Sequence, residues 1–172
     1  SDTGIISPEP LPDLSGYYMN KTKDKNGSIR MVRMLSWIEG RLWSEVNPIR
    51  NELLYSLGEE AGRLTRALQG FKHPLAKRDF DWDLARAGWT RGYLDLHSEE
   101  RREIISYFMD LYDIQQSAYA QCRRSVVHND ANDNNVVVSE DLDHPRVSAI
   151  IDFGDAIHTQ VINDLAITLA YA

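Results

Sequence analysis

The sequence predicts an α+β fold, mainly helical, with a small β-hairpin that carries a polar loop. Three observations lead there. Two long stretches, 47–70 and 98–122, hold apolar residues at helical spacing. Two short apolar runs, Val136 to Val138 and Val147 to Ile151, flank a turn-rich segment with Asp141, Asp143 and Pro145. A dense polar loop, His128 to Asn135, follows a further apolar run at Ser125-Val126-Val127. The 172 residues are 42% hydrophobic and 26% charged, an ordinary globular balance long enough for one domain with a real core.

Each element has its own signal. Pro8, Pro10 and Pro12 make residues 1–16 an irregular lead-in. Between Gly16 and Ile38, β-prone residues on both sides of Asn26-Gly27 predict a hairpin whose second strand runs into Leu35-Ser36-Trp37-Ile38 and a Glu39-Gly40 turn. Asn47-Pro48 reads as a helix start, with Leu53, Leu57, Ala61, Leu64 and Leu68 on one face and Gly70 at the end. The stretch 71–97 is mixed and aromatic. Ser98 with Glu99 and Glu100 opens a second helix, since carboxylates suit a first turn. A last helix is expected from Asn163 or Asp164. It stops while still apolar, without a capping signal, so the chain is expected to be a piece of a longer protein.

Charge and cysteine usage narrow the function. The net charge of −7 lacks the basic character of nucleic-acid binders and of proteins on anionic membranes. The single cysteine, Cys122, allows no intrachain disulfide, which fits a reducing cytoplasm. No apolar run approaches the roughly 20 residues of a membrane span, and no signal peptide opens the chain. The scattered histidines show no zinc spacing.

The chemistry concentrates in His128-Asn129-Asp130-Ala131-Asn132-Asp133-Asn134-Asn135 and in Ile151-Asp152-Phe153-Gly154. If the two strands between them pair antiparallel, their outer ends bring Asn135 beside Asp152. A carboxylate and a carboxamide oxygen suit Mg²⁺, which takes one or two carboxylates together with phosphate oxygens and water. Asp130 precedes Asn135 by five residues and reaches the far side of a bound phosphate, where an acceptor hydroxyl would lie. That division of labour is what phosphoryl transfer needs. A polar Asn/Asp loop alone is more often a turn; here the order strand, loop, strand, Asp-Phe-Gly gives it weight.

The segment from Val126 to Ala172 resembles the catalytic and metal-binding loops of the aminoglycoside phosphotransferase and choline kinase superfamily, relatives of the protein kinases. His128 to Asn135 and Ile151 to Ala156 look closest to its hydroxylysine-kinase-like branch, some members of which are fused to class III aminotransferases. Leu57-Gly58, Leu68 to Phe71, His73-Pro74 and Trp82-Asp83-Leu84 extend the likeness. The resemblance implies a helical C-terminal lobe of a protein-kinase-like fold in residues 41–172, with the lead-in, the last N-terminal-lobe hairpin and the inter-lobe linker in residues 1–40.

It implies ATP and Mg²⁺ as cofactors and a small-molecule hydroxyl as acceptor: an amino alcohol, a hydroxy amino acid or an aminoglycoside. Asp130 matches the catalytic base. Asn135 and Asp152 match metal ligands, with Asp155 as a second acidic position. His128 and Asp164 match residues that brace the catalytic loop; Asp164 also suits a helix N-cap. Leu35, Ser36, Trp37 and Ile38 match the linker that holds adenine, or form an edge strand running into a turn. Trp82 or Trp89 would suit an aromatic cage for a cationic acceptor. Asn129 departs from the glycine of many relatives. A Gly-rich phosphate loop, a phosphate-binding strand lysine and its partner glutamate are missing, so this polypeptide alone is expected to be nearly inactive. The rival readings are a non-catalytic pseudokinase or interaction module and, more weakly, a Mg²⁺-dependent phosphatase or nuclease.

Overall fold

The computed structural model describes residues 4–172 and shows the expected mixture of helices and small antiparallel sheets. The lead-in is not wholly irregular. Strand β1 (Pro10–Leu11) is short; β2 (Asn20–Lys23) and β3 (Ile29–Val32) form the expected hairpin; β4 (Met34–Leu35) returns to pair with β1. The prolines hid β1, which is an edge strand, where a missing N–H costs little. Asp24 shapes the hairpin turn, its carboxylate accepting from Asn26 N at 2.9 Å and Ser28 N at 3.0 Å. Every residue of β2 and β3 is exposed.

Strand β5 (Arg41–Leu42) then enters the body of the protein. Gly40 precedes it at φ 144°, and a Cβ there would meet the Val138 carbonyl oxygen at 2.4 Å, so only glycine lets the chain pass this close. A 3-10 turn at Trp43–Glu45 follows. The first long helix, α1 (Asn51–Leu68), starts later than the sequence predicts. Asn47 is not its N-cap: the Asn47–Pro48 bond is cis. Arg50 takes the cap position in extended conformation, its carbonyl accepting from Leu53 N and Leu54 N.

The aromatic stretch folds as 3-10 turns, chiefly Leu84–Leu96. It is clamped onto α2 (Glu99–Ala120) by Arg91, which pairs with Asp110 at 2.9 Å and Asp113 at 2.6 Å, and by Tyr112, whose hydroxyl donates to the carbonyls of Leu84 and Ala85. Of the apolar face expected on α2, Met109 is buried but Ile104, Phe108 and Ile114 are exposed. The neighbouring segment covers less of the helix than its stripe would bury.

The remaining strands build the site. Strands β6 (Arg124–Val127) and β9 (Ile157–Gln160) pair antiparallel; β7 (Val136–Val138) and β8 (Val147–Ile150) form a hairpin, and β5 pairs with β7. Helix α3 (Ile162–Tyr171) closes the chain. The core lies where α1 meets this hairpin: Trp43, Leu53, Leu57, Leu64, Val136, Val138, Val147 and Ile150, with Ala131 of the polar loop packed into it. The loop is thus anchored in the core at Ala131, with His128 and Asn129 buried beside it and Asp130 only partly covered.

Candidate active site

The polar loop links β6 to β7, and the Asp152–Asp155 segment links β8 to β9, so two adjacent sheets present both loops on one side. The pairing of Val136 with Ile150 brings Asn135 beside Ile151, whose N–H donates to the Asn135 carbonyl at 2.8 Å. The Asn135 amide donates to the Asp130 carboxylate at 2.7 Å and to the Asp130 carbonyl at 2.8 Å. Asn132 supplies a second amide to the other carboxylate oxygen at 2.8 Å. Two fixed donors therefore hold Asp130 in one rotamer, and the Asn135 carboxamide oxygen has no hydrogen bond among the described residues.

Two braces come from far along the chain. His128 is wholly buried, and its Nε2 lies 2.9 Å from the Ile151 carbonyl. Its Nδ1 accepts from Asp130 N at 3.3 Å, so Nε2 carries the proton and donates. Burial pushes the imidazole below its ordinary pKa, against the pull of Asp164. The ring also packs edge-on against Phe153 at 4.8 Å. Asp164, on α3 and only 5% exposed, accepts from His128 N at 3.1 Å and Asn129 N at 2.8 Å. Burial raises its pKa and these two bonds oppose the rise. They also fix Asn129 at φ 66°, in the left-handed region that asparagine tolerates better than most residues.

The ring's tautomer sets a pH dependence. In the folded protein the imidazole pKa lies below the free value near 6.5, so the unfolded chain binds the proton more tightly. Stability is then expected to fall as pH drops below about 6.5 and to level off below the folded value. Urea unfolding at pH 7.5 and 5.5 checks this: His128→Asn should remove much of the difference.

Asp152 is the second left-handed residue, at φ 62°. Its carboxylate accepts from Gly154 N at 3.1 Å, and a Cβ on Gly154 would stand 3.0 Å from that oxygen. Asp155 follows in a single 3-10 turn. Its pKa is raised, first by burial and then by the nearby Asp130 and Asp152 charges. Arg78 ties this segment down, donating to the Gly154 carbonyl at 2.9 Å while its guanidinium lies over Phe80.

Could these residues hold a metal? Among those described, no group of three or more His, Cys, Asp or Glu is arranged as a complete cage. The oxygens on offer are the Asn135 carboxamide oxygen, whose backbone lies beside Ile151, the exposed Asp152 carboxylate that follows Ile151, and Asp155 in mutual repulsion with it. That set fits Mg²⁺, which prefers few protein oxygens and completes its shell with phosphate and water.

Two cavities flank the cluster. One, of about 780 Å³, is lined by Leu35, Ser36, Trp37 and Ile38 on one side and by Ile151 and Asp152 on the other. Ser36 N already donates to the Glu9 carbonyl, whereas no backbone hydrogen bond engages Trp37 or Ile38 among the described residues. Trp37 is 80% exposed. The second cavity, of about 480 Å³, is lined by Trp82, Asn129, Asp130, Asp155 and Tyr171. Trp82 reaches it because Asp83 beside it is buried in a polar network, accepting from Thr159 Oγ1 at 2.8 Å and Asn163 Nδ2 at 3.3 Å. The Tyr119 hydroxyl completes the network on Asn163 Oδ1 at 2.7 Å.

Trp89 lies apart, stacked edge-on against Tyr93 with its indole N–H on the Asp81 carbonyl. Sequence reading gave no role to Asn132 or Arg78. Asn132 had a local signal, an amide two residues from Asp130; Arg78 had none.

A sequence model of the phosphotransferase enzyme family matches residues 7–172. The chain belongs to that family. Hydroxylysine kinase of Bos taurus is 32% identical over 152 residues, covering 82% of this chain and 40% of that protein. The chain thus spans under half of that relative's length. Among solved structures, the GDP complex of aminoglycoside 2'-phosphotransferase-IIIa superposes with a TM-score of 0.66 at 14% identity, over 97% of this chain and 56% of that one. Amicoumacin kinase in complex with AMP-PNP, Ca²⁺ and Ami gives 0.63 at 21% identity, over 98% and 48%. These two likenesses establish the fold. Among the described residues, no helix is long and apolar enough to cross a membrane.

Proposed function

We propose that this chain carries the catalytic lobe of an ATP-dependent small-molecule kinase, acting on the hydroxyl of an amino alcohol or hydroxy amino acid. The observation that carries the reading is the pair of cavities on one carboxylate cluster: Asp152 borders the first, Asp130 and Asp155 the second. Adenine occupies the first cavity, hydrogen-bonded by the free backbone of Trp37 and Ile38, with Leu35 and Ser36 alongside. Asn135 and Asp152 would hold Mg²⁺, with Asp155 assisting. The chemistry gained at those residues would be neutralisation of charge on the nucleotide's phosphates.

Asp130, fixed by Asn132 and Asn135, orients the acceptor hydroxyl and takes its proton as the oxygen attacks the γ-phosphorus and the bond to ADP breaks. His128 and Asp164 hold the loop backbone that aims Asp130. The acceptor cavity joins carboxylates to the Trp82 and Tyr171 rings, a lining that suits a cation. The likeness to hydroxylysine kinase supports the same acceptor class.

Calorimetric titration with ATP and Mg²⁺ tests the reading, on residues 1–172 and on the longest form the gene encodes. Binding is expected in the longer form, weakened at least about tenfold (about 1.4 kcal/mol) by Asp152→Ala, which removes a charged metal ligand. No binding by either form would turn the reading to a non-catalytic module that kept the fold.

A further inference from the structure

Asn129 holds an acceptor that the fold leaves unused. The residue is 4% exposed and lines the cavity beside Asp130. Its backbone N–H is taken by Asp164 and its side-chain amide donates to the Trp82 carbonyl at 3.4 Å. Its Oδ1 is buried with no partner. Turning the amide over would set oxygen against the Trp82 carbonyl oxygen, so this orientation is the one the surroundings permit. At φ 66° the backbone would accept glycine with less strain, so the side chain is not there for the turn. A buried carbonyl without a donor is rare in folded proteins and calls for one.

Resting on the kinase reading, we propose that Asn129 is a specificity-determining residue of the acceptor cavity, its Oδ1 receiving a hydrogen bond from an ammonium on the acceptor next to the reacting hydroxyl. The same side chain, through the Trp82 carbonyl, keeps the cavity wall in register with the loop bearing Asp130. An acceptor without that amine leaves Oδ1 unpaired and Asp155 uncompensated. Discrimination against an analogue lacking one donor is strong when it strands a buried polar group.

The test compares 5-hydroxylysine with the analogue in which hydrogen replaces its side-chain amine, each titrated calorimetrically into nucleotide-free protein in the longest form the gene encodes. Nucleotide is titrated separately, so failure of the kinase reading shows in that titration alone. Wild type is expected to favour the amine at least tenfold. Asn129→Gly, which the backbone accommodates, should bring the two affinities within about twofold. Asn129→Asp, which keeps an oxygen there, should retain the preference. Loss of the preference in both variants would assign the effect to the Trp82 tie and overturn the role of Oδ1. So would an unchanged preference in Asn129→Gly, or a wild type that binds neither compound or both alike.

Discussion

Asp130→Ala is expected to lower phosphate transfer by about 10²–10⁴-fold, the range for removing a positioned general base. Transfer is followed in the longest form the gene encodes, with hydroxylysine as acceptor. Nucleotide affinity should move little, because Asp130 borders the acceptor cavity and not the one lined by Leu35 to Ile38. The substitution also frees the Asn132 and Asn135 amides that hold the carboxylate. Both lie at a solvent-reachable loop, so water takes over their hydrogen bonds and stability should fall by less than about 1 kcal/mol. A variant that transfers phosphate at the wild-type rate would remove Asp130 from the mechanism.

Asp164→Ala acts on stability instead. Among the described residues, the carboxylate is the only acceptor hydrogen-bonded to two backbone N–H groups at the start of the polar loop, both on buried residues. Removing it strands both, at about 1–3 kcal/mol each. The carboxylate's own burial penalty, which raises its pKa, offsets part of that loss. A net destabilisation of about 2–4 kcal/mol is expected in urea unfolding, against a typical total of about 5–15 kcal/mol. Asp164→Asn keeps one oxygen and should lose about half as much. Asp155→Ala, which removes a carboxylate with no hydrogen bond among the described residues, should be nearly neutral or slightly stabilising, since it relieves repulsion with Asp130 and Asp152. Equal stability of wild type and Asp164→Ala would mean that water reaches those N–H groups.

The two variants separate what the site does from what holds it. Asp130 sits at the end of a chain of support that runs from α3 through Asp164 to the His128 backbone, and from the His128 ring to the carbonyl before Asp152. The two carboxylate loops therefore share one buried imidazole, so disturbing either loop disturbs the other. Asn129 and Asp152, the two non-glycine residues with positive φ among the described residues, stand at the two ends of this arrangement. Backbone strain gathered at one place, with the surrounding bonds to sustain it, is characteristic of sites built for chemistry.

The sequence by itself determined the elements whose signal is local. The 3.6-residue spacing of Leu53, Leu57 and Leu64 predicts α1, and all three are in the core. The Val136–Val138 and Val147–Ile150 runs predict β7 and β8, and their pairing follows from the short turn between them. The loop order from His128 to Asp152 set the neighbours of Asp130 and Asn135, because those residues lie within one hairpin's reach. What failed locally failed for local reasons: prolines concealed β1, and Asn47-Pro48 imitated a helix cap.

Only the tertiary structure decided the rest. It brought Asp164 to the Asn129 backbone across 35 residues, Arg78 to Gly154 across 76 and Asp83 to Thr159 across another 76. It stranded the Asn129 amide oxygen in a residue that lines the cavity beside Asp130 and Trp82. Such contacts leave no period and no spacing in the chain. They arise from how helices and strands pack on one core, and packing brings together residues that sequence order keeps apart.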